Sequence, residues 1–312
     1  MDNSMKKRKK ISGELIFLPI VIIVLCVVSG VINQNFFKMT NIMAIFQQIA
    51  VLGILTGAML MLLITGMLDL SYGSLIGLCC VALCQFVTMG INPYVSLLLM
   101  FLIAVAGGAL NGFIVTTFKC EPLIITIGTG YIFNGFALVW SEGTYQSLQG
   151  KLEYVGTEKW GIIPVSMVVL IVVLVIVQII LRYTPYGRRL HIIGGNAEVA
   201  FLSGINVRLY KLITFIIGGF ICGLASFVLC SRVGSALASN GAGYELRALA
   251  SCIIGGASFG GAKGTVIGAF LGVVLLGVIS NALNILSVDP FYQTVVLGVI
   301  IVVAVVASNV KK

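Results

Sequence analysis

Apolar runs of about 20 residues recur along the chain, separated by charged residues or by Gly, Pro and Asn. A helix that crosses a bilayer needs ~20 mostly apolar residues, because roughly 30 Å of hydrocarbon must be covered at about 1.5 Å per residue. Ten segments meet that description, at about 15–33, 42–67, 73–90, 94–118, 122–140, 162–182, 212–231, 246–260, 265–286 and 291–308. The eighth is short enough to be a half-helix, and whether it crosses fully is left open by its length. The pattern predicts an all-α polytopic membrane protein of about ten transmembrane helices, some short or broken, forming a single transmembrane domain over residues 1–312.

Composition sharpens this reading. Of the 312 residues, 59% are hydrophobic and only 9% charged, and the mean hydropathy is +1.14. Soluble domains carry roughly 25% charged residues, so a soluble globule is excluded. The 19 Lys and Arg against 10 Asp and Glu leave a formal +9. Such an excess marks nucleic-acid partners in some proteins and cytoplasmic loops in membrane proteins, and its location decides between them.

Residues 1–12 are basic, with Lys6, Lys7, Arg8, Lys9 and Lys10. They look like the start of a signal peptide, but no convincing small-residue cleavage site follows, which suggests a retained signal anchor. With this end inside and ten crossings, Lys119, Arg182, Arg188, Arg189, Arg208, Lys211, Lys263, Lys311 and Lys312 also fall inside, 14 of the 19 basic residues. Lys38, Lys151, Lys159, Arg232 and Arg247 fall outside. This asymmetry places both termini in the cytoplasm and accounts for the charge without nucleic acid. Two longer polar connections result: 141–161 outside, and the basic stretch 183–211 in the cytoplasm, the natural contact for a cytosolic partner.

Most of the 37 glycines are read as sites of close helix packing. Two clusters go further. Gly66–Ser74 interrupts an apolar stretch with Asp69, and Gly255–Thr265 interrupts another with Lys263. Gly73–Gly77 and Gly264–Gly268 share the pattern Gly, Ser/Thr, aliphatic, Ile, Gly, each where a helix restarts, which hints at two structural repeats.

Asp69 is the one acid deep inside an apolar region, where a carboxylate must be paired, hydrated or used as a helix cap. Capping of a helix starting near Tyr72 is one reading, and a place on a substrate path is the other. Asn111, Asn134 and Asn281 are polar within spans and suit either helix adhesion or contact with a hydroxylated solute.

Cys79, Cys80 and Cys84 lie close together, but with one histidine, His191, and no second Cys pair at ligand spacing they do not make a metal site. The eight cysteines read as small buried hydrophobes. Hydrolase signatures and a Walker A loop are absent, so the chain is not expected to be an enzyme or to need a cofactor.

The stretch from Tyr183 to Val207 carries Thr184, Gly187-Arg188, Gly194-Gly195-Asn196, Ala200 and Ser203-Gly204-Ile205-Asn206-Val207. It resembles the cytoplasmic loop of bacterial permeases from ribose-type ATP-binding-cassette sugar importers. The resemblance extends to the break at Asp69–Ser74, to Asn111-Gly112 and to Ile253–Gly264, and covers essentially the whole chain from about residue 40. One departure is Tyr72, where such permeases carry a small aliphatic residue.

The resemblance implies a permease subunit in the bacterial plasma membrane with three partners besides lipid: a second permease copy, an extracytoplasmic sugar-binding protein, and a cytosolic ATPase subunit. The 183–211 loop would contact the ATPase. Within it, Asn196–Ser203 is expected to form a short helix capped by Asn196 and stopped by Gly204. Gly187, Arg188, Gly194, Asn196, Ala200 and Gly204 are expected to carry coupling, with Arg188 pairing or anchoring the loop.

Path candidates are Asp69, Asn111, Asn134 and Asn281. The cargo reading is a pentose-like sugar, with an autoinducer furanose, a nucleoside or a branched-chain amino acid as alternatives. An ion-coupled carrier or channel acting alone is the competing class, thinly supported by a single embedded acid.

Overall fold

A computed structural model describes residues 13–310. The basic segment 1–12 and Lys311 and Lys312, counted above among the inside charges, lie outside the described residues. Thirteen helices follow one another: α1 (Gly13–Ile32), α2 (Met39–Ile64), α3 (Tyr72–Thr88), α4 (Pro93–Phe118), α5 (Pro122–Ser141), α6 (Tyr154–Thr157), α7 (Val165–Tyr183), α8 (Pro185–Gly195), α9 (Ala197–Leu202), α10 (Val207–Val233), α11 (Tyr244–Ile254), α12 (Val266–Ile285) and α13 (Pro290–Val310). Several start where proline occupies the first turn and a polar side chain precedes it, as Asn92 does for α4 and Thr184 for α8. Proline has no N–H to satisfy there, and its fixed φ is already helical.

All ten apolar segments contain helices, with ends within three residues of those expected except that α10 starts five residues earlier, at Val207, and α11 stops six residues earlier, at Ile254. Six helices, α2, α4, α5, α7, α10 and α12, are long and apolar enough to cross a bilayer. Shorter apolar stretches occupy Phe17–Ile32, Tyr72–Thr88 and Phe291–Val303. The eighth segment is α11, whose 11 residues reach only about 16 Å, so it is half a crossing at most. Exposed Leu98, Ile124, Tyr131, Val172 and Val299 give the bundle an apolar exterior, which water would not tolerate over so wide an area. This is a helical membrane protein.

At the centre stands α2, buried at every residue from Ile49 to Thr65. A helix apolar on all sides needs neighbours all round, and α7, α10, α11 and α12 supply them, while α3 packs against α4, α5 and α10. The α4–α10 contact depends on glycine. A Cβ on Gly219 would stand 2.5 Å from the Ala104 carbonyl, and one on Gly108 would stand 2.9 Å from Gly219 Cα. Without a strong hydrophobic drive between helices in lipid, such backbone proximity is what gains packing energy.

The 141–161 connection folds back onto the end of α10. Its strand β1 (Gln146–Ser147) pairs antiparallel with β4 (Ser235–Ala236), while β2 (Lys159–Trp160) pairs with β3 (Ile163–Pro164). Gly156 N donates to Ser231 Oγ at 2.9 Å, fastening α6 to α10. The 183–211 stretch is no simple loop, since α8 and α9 fill most of it.

Candidate functional site

Two regions at opposite ends of α2 collect the polar groups. At its C-terminal end the chain breaks before α3, and Asp69 lies in the break, fully buried. Asp69 Oδ1 accepts from Ser71 N at 2.8 Å and from the Ser71 hydroxyl at 2.6 Å. Its Oδ2 accepts from Asn111 Nδ2 at 3.0 Å, and the same amide donates to Ser71 Oγ at 2.8 Å. Three donors thus surround a buried carboxylate, the condition for keeping one in a low-dielectric interior. Asp69 organises the turn that leads into α3 and ties it to α4, and the N-cap position itself falls to Ser71. Next to it, the Tyr72 hydroxyl lodges against Gly218 of α10 and finds no hydrogen-bond partner among the described residues.

Gly194, one of the coupling candidates, meets α2 at the same end. Thr184 Oγ1 accepts from Gly187 N at 3.2 Å and caps α8, while Gly187 lies tight against the last turn of α7 at Ile180 and Leu181. Further along α8, Gly194 abuts the Ile64 carbonyl, which also accepts from Ala262 N at 2.9 Å. Gly261 faces Gly194 in turn, with φ +82. The end of α8, the end of α2 and the glycine-rich break before α12 therefore interlock, and Asp69 follows Ile64 by five residues.

Beyond α8 the expected short helix is present. Asn196 Oδ1 accepts from Glu198 N and Val199 N at 2.9 and 3.0 Å, and Ala200 is buried beneath α9. Gly204 takes φ +79 while Ile205 N bonds back to the Ala200 carbonyl at 3.1 Å, a glycine stop that a side chain would strain. Phe201 and Leu202 project outward, 69% and 78% exposed.

Anchoring of this element falls to Arg189. Its guanidinium lies 5.4 Å from the Tyr210 ring centroid and donates to the Tyr210 hydroxyl. Arg188 is exposed and makes no side-chain hydrogen bond among the described residues. Tyr186 stacks on Tyr210 and bonds Thr214 Oγ1 at 2.8 Å. Burial pushes the Tyr186 hydroxyl up to about 12, so it remains neutral.

At the opposite end of α2, a cavity of about 410 Å³ is lined by Asn41, Gln47, Gln48, Arg232, Asn281 and Asn284. Asn41 and Asn281 exchange amide bonds, Asn41 Nδ2 to Asn281 Oδ1 at 3.0 Å and Asn281 Nδ2 to Asn41 Oδ1 at 2.8 Å. A smaller pocket of about 80 Å³ shares Gln48 and Arg232 and adds Tyr244, Arg247 and Ser280.

The four path candidates therefore divide three ways. Asp69 and Asn111 are joined, Asn281 lies on the cavity, and Asn134 is half-buried on α5 without a hydrogen bond among the described residues. Sequence reading missed Asn41 and Arg232 as companions of Asn281, because they come from different helix ends and only packing unites them. Helix α8 was also missed, although Thr184-Pro185 is a cap followed by a first-turn proline.

The chain matches, over residues 41–305, the family described as branched-chain amino acid transport system / permease component. It is similar to the ribose import permease protein RbsC of Bacillus subtilis (strain 168), 32% identical over 293 residues, 92% of this chain and 90% of the relative. It is also similar to the D-allose transport system permease protein AlsC of Escherichia coli (strain K12), 35% identical over 291 residues, 91% and 88% of the two chains. The autoinducer 2 import system permease protein LsrC of Photorhabdus laumondii is 30% identical over 274 residues, covering 87% and 82%. No solved structure matches the chain.

Proposed function

Because the chain belongs to the branched-chain amino acid transport system / permease component family, we propose that it is the membrane subunit of an ATP-binding-cassette importer, passing a monosaccharide from a binding protein into the cytoplasm. The sugar-permease relatives favour a sugar over an amino acid as cargo. Power comes from a separate ATPase subunit. The protein resides in a bacterial plasma membrane as a single permease domain, with ten membrane-entering segments and both termini cytoplasmic, as the basic residues are distributed. A second copy completes the path.

In this arrangement α8 and α9 face the cytoplasm, and the Asn41–Asn281 cavity faces outward. Helix α9, capped at both ends, presents Phe201 and Leu202 to the ATPase. The observation that carries the reading is the seat of Gly194 on the Ile64 carbonyl. A push on α9 passes through α8 to the end of α2 and to both glycine-rich breaks, where helix pieces can reorient and switch access. Gly187, Gly194, Asn196, Ala200 and Gly204 shape this lever, Arg189 holds it to α10, and Arg188 is free to meet the partner. Asp69 and Asn111 form the hinge post, Asn281 lies on the path, and Asn134 lies on the face of α5 that meets the second copy.

The test is recovery of partners from the native membrane after mild solubilisation. Wild type should bring down an ATPase subunit, and a variant carrying Gly194→Pro and Ala200→Asp should not. Recovery of this chain alone in both cases would favour a carrier or channel.

A further inference from the structure

Arg232 lines both of these neighbouring cavities, Arg247 lines the smaller one, and neither cavity has Asp or Glu in its lining. Arg232 spends one N–H on the Gln47 carbonyl, at 3.0 Å, and has four more to offer. Arg247 makes no side-chain hydrogen bond and no ion pair among the described residues, although it is half-buried. The nearest acid in sequence, Glu245, is turned elsewhere. Its Oε1 accepts from Gly243 N at 3.3 Å, and its carboxylate lies against Gly73 of α3. Gln48 Oε1 is sealed from solvent without a partner.

Glu245 feels the Arg247 charge without pairing with it, and a half-buried guanidinium with no ion pair is costly in a membrane protein and marks function. Its planar fork is the group best matched to a carboxylate. Around the two arginines stand Asn41, Gln47, Gln48 and Asn284, amides that both donate to and accept from hydroxyl groups. The volume of about 410 Å³ falls in the usual range for a small-molecule site, ~300–1,000 Å³.

From this we infer that the outer cavity receives a polyhydroxylated solute bearing a carboxylate, a sugar acid, with Arg247 and Arg232 on the carboxylate and the amides on the hydroxyls. This rests on the importer reading and narrows its cargo from monosaccharides in general to aldonates or uronates.

The experiment uses the full-length permease in lipid nanodiscs with whatever ATPase it brings, without binding protein, and reads thermal protection and displacement. The probes are D-ribonate against D-ribose, D-galacturonate against D-galactose, and D-ribose 5-phosphate. At least one sugar acid should bind tenfold or more tightly than its neutral parent. Arg247→Gln should erase that preference, and Arg247→Lys should retain part of it.

Equal binding of acid and parent by wild type overturns the inference, and that comparison does not depend on any variant folding. Tightest binding of the 5-phosphate overturns the carboxylate assignment. A response only when binding protein is added assigns the arginines to docking and overturns it too. If the ATPase is recovered and neutral pentose is imported without acid preference, the inference fails alone and the importer reading stands. If no ATPase is recovered, the importer reading fails whatever the probes do.

Discussion

Asn111 on α4 donates its amide to the Asp69 carboxylate at 3.0 Å, across 42 residues of chain. This bond and the one from the same amide to Ser71 Oγ at 2.8 Å fix the turn between α2 and α3 to α4. Replacement of Asn111 by Ala removes two hydrogen bonds and leaves a fully buried carboxylate with one side unmet. An unsatisfied buried group costs ~1–3 kcal/mol, more where it is charged. The expected result is a clear fall in thermal stability in detergent for Asn111→Ala and a smaller one for Asp69→Asn, which removes the charge along with its need. Equal losses in the two variants would mean the amide serves the turn without serving the charge.

Gly194 and Gly195 are neighbours in sequence with opposite tolerance. A methyl on Gly194 collides with the Ile64 carbonyl, and one on Gly195 meets Ala262 Cβ at 3.9 Å, an ordinary contact. Gly194→Ala should therefore destabilise by about 1–3 kcal/mol through overpacking and lower ATP-driven uptake at matched expression. Gly195→Ala should be neutral or mildly stabilising, since alanine is the better helix former. Thermal melts and uptake of the pair check this, and the reading fails if the two variants behave alike.

How far the sequence could be read depends on what each feature required. Most spanning helices were legible to within about three residues because a bilayer demands long uninterrupted apolar runs, and Pro93 and Pro122 mark where helices begin. The α9 cap was legible because Asn196 and Gly204 act on their own neighbours. Asp69 showed itself as an isolated acid, but its partner Asn111 could not be told from any other amide within a span. The outer cavity was not legible at all. Arg232 and Arg247 read as two outside charges in a topology count, and the approach of Arg232 to Asn281 and of Arg247 to Arg232 exists only after α10, α11 and α12 pack on α2. The anchoring role falls on Arg189 instead of Arg188 for a similar reason: the choice depends on where Tyr210 of α10 stands relative to α8.

Asn196 holds α9 through two backbone N–H groups. A six-residue helix has little stability of its own, so the cap decides whether Phe201 and Leu202 are presented in one arrangement. Asn196→Ala should cost roughly 1 kcal/mol locally, leave the global melt nearly unchanged, and reduce recovery of the ATPase subunit. Asn196→Asp should preserve recovery, because the carboxylate can accept the same bonds. Local loosening can be read as faster amide hydrogen exchange over residues 197–203 in the Ala variant alone.

The reciprocal bonds between Asn41 and Asn281 separate packing from a role in transport. If Asn41 becomes Leu, the Asn281 amide keeps neither its donor nor its acceptor met, and if Asn281 becomes Leu, Asn41 keeps only its bond to the Phe36 carbonyl at 2.9 Å, so each single change should cost ~1–3 kcal/mol. With both replaced, neither amide is stranded and only the Phe36 carbonyl loses its donor, so the double variant should be more stable than the sum of the singles by about 0.5–3 kcal/mol. Transport should not recover with it. The double variant lines part of the outer cavity with leucine, and a hydroxylated solute entering there loses partners that no repacking restores. Melting temperature should thus rise from single to double variant while uptake at matched expression stays low. Uptake that recovers in step with stability would make the pair a structural clamp and move the solute path away from Asn281.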